Sequence, residues 1–150
     1  MRRPKVGDVI EVPANGGYYY GVVSHRHDYG DVLRIINKCH ALPLKDIPAF
    51  EAASDMITLQ CIFKGELTNG SLKKVGKIAL PEKLRDFPLF RSGTPNHKTG
   101  KVEVWWLWDG ENDIRIGELS EEQKQLPRAG ALDNEAMVIH LERRTHPSLL

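Results

Sequence analysis

At 150 residues, 41% hydrophobic and 27% charged, the chain lies far from the compositions that stay disordered, and its length suits one domain, residues 1–150, with its own core. Twenty-one Lys and Arg against twenty Asp and Glu leave a net charge of +1, which excludes bulk attraction to nucleic acid or an anionic membrane but not a local basic patch. Two cysteines, Cys39 and Cys61, suit a reducing compartment better than a disulfide scaffold.

The N-terminus "MRRPKVGDVIEV" is broken by Gly7, Asp8 and Glu11 before any run of signal-peptide length, and no later segment approaches the roughly 20 apolar residues that span a bilayer. A cytoplasmic protein without membrane contact is expected. Val6 to Val12 alternates as a strand that should end at Pro13, "PANGG" is a turn, and Tyr18 to Ser24 is its hairpin partner. "DVLRIIN", Asp31 to Asn37, completes a three-stranded meander. Two prolines in 41–54 limit that stretch to one short helix near Pro48 to Ala53.

Met56 to Phe63 places Ile57, Leu59, Cys61 and Phe63 on one face and Thr58 and Gln60 on the other, a half-buried strand. A short strand is expected at Val75 to Ile78, and 86–100 reads as a long loop. "VEVWWLW" and Asp113 to Gly117 form a hairpin about the "DGEN" turn, and Ser120 with Gln123 makes a capping box for a helix over Glu121 to Leu126. A last alternating run from Ala136, "AMVIHLERR", reads as the closing strand. The fold class is mainly β with some α: a strongly bent antiparallel sheet or a partly open small barrel, with two or three short helices.

His25 and His27, two apart on a strand, share a face and could reach one zinc ion, but Asp28, His97, Cys39 or His40 would have to complete the site and no ligand spacing supports that. Cys39 beside His40 is the one nucleophile–base pair, and adjacent strand residues point apart. Asp109, Glu111 and Asp113 crowd a turn that favours such residues for backbone reasons. No catalytic, metal or cofactor site is therefore expected. Basic residues gather at Arg2, Arg3 and Lys5, at Lys73, Lys74 and Lys77, and at Arg143 and Arg144. In "VEVWWLW", Val104, Trp106 and Trp108 face one side and Trp105 and Leu107 the other, so an aromatic is expected at the surface.

"KVGDVIEVPANGGYYYGVV" followed by "GDVLRIIN" resembles the start of the bacterial immunity protein 26 family through Gly7, Asp8, Pro13, Gly16, Tyr18, Tyr20 and Gly21. "KKVGKIALPE" is similar to that family's central segment, though Leu72 or Lys73 stands where its Trp would be, and "GELSEEQKQLPRAGALDNEAMVIHLERR" is similar to its closing segment. The resemblance implies a non-enzymatic cytoplasmic protein whose partner is a cognate toxin of a polymorphic toxin system, bound through a protein–protein interface. Tyr18, Tyr20 and Trp105 are the expected partner-binding anchors. Two rivals stand beside it: a small-barrel RNA-binding protein or ribonuclease, whose proton transfer would fall to His25, His27 or an Arg, and a barrel that binds a small ligand.

Overall fold

The computed structural model describes residues 3–64 and 72–143. Among the described residues eight strands form two antiparallel sheets. β1 (Asp8–Ala14), β2 (Gly17–His25), β3 (Asp31–Ile36), β4 (Met56–Cys61) and β5 (Lys73–Lys77) make the larger one, in the order β4-β3-β2-β1-β5. β6 (Phe90–Ser92), β7 (Trp105–Trp108) and β8 (Asp113–Gly117) make the smaller, in sequence order. One α-helix, α1 (Asn134–Arg143), follows, and single 3-10 turns occupy Phe50–Ala52, Glu82–Leu84 and Gln123–Gln125.

The meander forms as its sequence dictates. Asn15 and Gly16 hold φ of 54° and 73° between the paired ends Ala14 and Gly17, the left-handed two-residue turn whose twist matches the strands it joins. Pro13 does not end β1 as expected but sits inside it, opposite Tyr18. Tyr18 turns its N–H and C=O away to His40 (2.8 and 2.9 Å), and β5 pairs only with Asp8 to Glu11, so no ladder bond requires a donor at Pro13.

Both faces of the larger sheet are covered, which explains the near-continuous apolar character of β1 to β3. Ile10, Val12, Tyr19, Leu33, Ile35, Leu59 and Cys61 pack under α1, whose Met137 and Leu141 are buried. Val9, Tyr20 and Val22 pack on the other side against Phe50 and Leu84 from the two 3-10 turns. A third cluster of Val32, Phe90 and Trp108, with Phe87 against it, joins the two sheets.

The chain between the last 3-10 turn and α1 stitches the sheets along their edges. Arg91 N–H donates to Pro127 C=O (2.9 Å) and Arg91 C=O accepts from Ala129 N–H (2.8 Å); Leu132 N–H donates to Gln60 C=O (2.9 Å) and Leu132 C=O accepts from Ile62 N–H (2.8 Å). These single bridges do not close a barrel: among the described residues there are two separate sheets, and the barrel expectation is corrected to that.

Three further expectations change. The run from Ala136 is helix, because Asp133 caps it through Ala136 N–H (2.9 Å) and its burial follows Met137 and Leu141, four apart, while Ile139 between them is exposed. The Ser120–Gln123 capping box forms reciprocally (2.9 and 3.2 Å) but starts only a 3-10 turn, since Pro127 follows and no residue of that turn is buried. The 86–100 loop contains β6, drawn into pairing by Phe90, which inserts beside Trp108.

Candidate functional site

A cleft of about 610 Å³ runs along β4, from Met56 to Gln60, with the stitching segment 124–132 as its far wall. Arg91, Lys124, Arg128 and His140 line it, and among the described residues no Asp or Glu does. Two of these cations share one aromatic ring: the guanidinium carbons of Arg91 and Arg128 stand 5.2 and 5.4 Å from the centroid of Trp105. Backbone geometry enforces this. The parallel bridge between Arg91 and Arg128 brings the two residues side by side, and Trp105 lies on β7, next to β6.

Arg91 is fixed further by donating from Nε to Leu126 C=O (2.9 Å). Its burial, and then the neighbouring Arg128 charge, hold its acidity above that of a free guanidinium, which stays charged at physiological pH. Neither arginine forms an ion pair among the described residues, whereas Lys124 is paired with Glu121 at 2.9 Å. The site thus holds two stacked positive charges with no carboxylate between them.

The structure separates the three residues expected as anchors. Trp105 is half-buried beneath the arginine pair. Tyr18 is half-buried on β2 and packs with the Val9 and Tyr20 cluster, on the other sheet. Tyr20 is 2% exposed; its hydroxyl donates to Glu11 Oε2 (2.8 Å) and accepts from Leu44 N–H (2.7 Å), so it is a core residue without surface to offer. Burial, first, raises the pKa of its phenol, with the Glu11 hydrogen bond and charge acting the same way against the Leu44 N–H bond. Of the tryptophans, Trp106 is the most exposed, because the register shifts between Trp105 and Trp106 while Trp108 turns into the core.

The histidines have structural work. His25 Nε2 bonds the Arg85 carbonyl (2.7 Å) and its Nδ1 meets Ser24 Oγ (2.9 Å). His27 Nε2 donates to Gly110 C=O (3.0 Å), and its Nδ1 accepts from Tyr29 N–H (3.1 Å). Among the described residues no group of three His, Cys, Asp or Glu side chains is placed to hold a metal. Cys39 points to the Ala14 carbonyl (3.6 Å) while the His40 ring stands edge-on to Tyr20, so the two do not meet. Burial, then the Asp31 charge, push the Cys61 thiol far up, which keeps it a protonated packing group. Asp109 accepts from Asn112 and Glu111 N–H (2.7 and 2.9 Å), and these bonds lower its pKa, as suits a turn residue.

The expected basic residues stay partly together: Lys73, Lys74 and Lys77 lie on β5, and Lys74 stands 3.2 Å from the Asp8 carboxylate that also accepts from Lys5 N–H (2.8 Å). Arg3 is bound to Asp31, and Arg2, Arg144 and the glycine-rich stretch 65–71 lie outside the described residues. Nothing in the sequence singles out Arg91 and Arg128, which come from a loop and a connector with no shared pattern; only the fold makes them neighbours. No helix among the described residues is long and apolar enough to cross a membrane. Comparison with protein-family models, curated proteins and solved structures finds no match.

Proposed function

We propose that this chain is an immunity protein that binds and neutralises a cognate bacterial toxin through a protein–protein interface, with no chemistry of its own. The observation that carries the reading is the cleft beside β4, where Arg128, stacked on Trp105 beside the buried Arg91, offers a guanidinium with no ion-pair partner among the described residues. Arginine and tryptophan are among the residues enriched at the centres of tight protein interfaces, and a rigid stack loses little side-chain freedom when a partner carboxylate arrives. The family resemblance of "KVGDVIEVPANGGYYYGVV" points the same way. Trp105 and Tyr18 remain contact residues in this reading; Tyr20 supports them from the core.

The test is co-expression with the product of the adjacent reading frame. Growth arrest by the neighbour alone, relieved by this chain, with both eluting as one complex, is the expected result. A harmless neighbour, or arrest that this chain does not relieve, overturns the reading. Arrest by this chain alone, with RNA cleavage, moves the function to the ribonuclease class.

A further inference from the structure

The two edges of the larger sheet are finished differently. β5 carries Lys73, Lys74 and Lys77 and a glycine at Gly76, the charged, interrupted composition that keeps an edge strand from pairing with another chain. β4, at the opposite edge, reads "MITLQC", without a charge, a proline or a glycine. Such a strand is an open template for pairing unless something occupies it.

The alternation of the ladder says which groups are open. Gln60 C=O and Ile62 N–H point away from β3, to Leu132, so Met56 and Thr58, in phase with Gln60, also direct their N–H and C=O outward. No backbone partner among the described residues takes the outward groups of Met56 and Thr58. The cleft lies along this edge, and its charged lining is wholly cationic.

We propose that the open edge of β4 takes up an extended acidic segment of the partner protein as an added strand, with a carboxylate on the segment reaching Arg128, whose charge the buried Arg91 beside it reinforces. Backbone bonds to Met56 and Thr58 supply register, and the guanidiniums supply charge specificity, the division of labour of strand addition to a sheet edge. A nucleic acid would satisfy the arginines but not the alternating peptide donors and acceptors of the edge. The partner's identity as the toxin rests on the function proposed above; the chemistry of the groove does not.

The probes are two capped hexapeptides, one alternating glutamate and valine and one alternating lysine and valine, titrated into the full chain by calorimetry and followed by amide shifts. The acidic peptide is expected to bind with shifts at Met56 to Gln60, the basic one not. Methylating alternate backbone nitrogens of the acidic peptide should weaken it about tenfold, because it deletes edge hydrogen bonds without changing charge. Arg128→Gln should weaken it about fivefold to tenfold and flatten its salt dependence. Thr58→Pro, which removes an outward N–H and leaves the β3 ladder intact, should abolish it.

Equal binding of acidic and basic peptides, indifference to methylation, or no acidic binding at millimolar concentration overturns the proposal. Tighter binding of poly(U) RNA to the same residues overturns it in favour of a nucleic-acid site. If toxin neutralisation survives Thr58→Pro while peptide binding is lost, strand addition is not the toxin contact and the immunity reading stands. If the acidic peptide binds but no toxin is neutralised, the groove stands and the immunity reading falls.

Discussion

His27 stands edge-on to Trp108, ring centroids 4.9 Å apart at 90°, and so ties the turn after β2 to the core strand of the smaller sheet. Its Nε2–H to Gly110, 83 residues away, fastens the β7–β8 turn to the same point. One ring therefore joins two sheets through packing and a hydrogen bond. His27→Phe keeps the packing and loses both ring hydrogen bonds, an expected cost of about 1–2 kcal/mol. His27→Ala loses the edge-to-face contact as well and should cost about 2–3 kcal/mol, read from urea unfolding midpoints at constant m-value.

His25 predicts a pH dependence. Its burial lowers its pKa in the folded chain below the ordinary 6.5, with the Arg34 charge adding to this against the Arg85 carbonyl bond and Asp86. A histidine held neutral in the fold binds fewer protons there than in the unfolded chain. Its contribution is therefore fully present above pH 6.5 and is lost as pH falls from there through its folded value. The unfolding midpoint should drop between pH 7.5 and pH 5.5, and His25→Gln should remove much of that slope.

The tyrosine pair separates stability from binding. Tyr20→Phe leaves Leu44 N–H and Glu11 without the hydroxyl between them, and should lower stability by about 1–2 kcal/mol while toxin neutralisation persists. Trp105→Leu removes the ring under Arg91 and Arg128 and should reduce complex formation far more than it reduces the urea midpoint. Size-exclusion co-elution beside a denaturation curve for each variant reads both quantities.

What the sequence made legible was local. The meander could be read because Asn15-Gly16 specifies its own turn, and β4 because Ile57, Leu59 and Cys61 alternate cleanly with Thr58 and Gln60. "AMVIHLERR" failed because Met137, Ile139 and Leu141 satisfy period two, and the signal that decides between the periods, the Asp133 cap, lies outside the run. Strand β6 stayed hidden inside a loop composition, since three residues carry no period of their own. The arginine stack could not be read at all: Arg91, Trp105 and Arg128 come from three segments that adjoin only through β6–β7 pairing and the bridge at Arg128.

Asp31 shows how much a buried charge depends on a partner from far along the chain. It is 2% exposed, and Arg3, 28 residues earlier, reaches it with both Nε and a terminal nitrogen while also donating to the His27 carbonyl (2.8 Å). His27 N–H adds a third donor (3.2 Å), so the carboxylate is almost fully supplied at the mouth of β3. Arg3→Gln leaves a buried carboxylate short of its charged partner, a loss of about 1.5–3 kcal/mol, with the Arg3 side chain's own exposure keeping it below the cost for a fully buried pair. Asp31→Asn with Arg3→Gln should recover part of that loss, because the charge that needs compensation is gone. A double-mutant cycle in urea reads the coupling directly, and strict additivity of the two substitutions would show that Arg3 contributes nothing through Asp31.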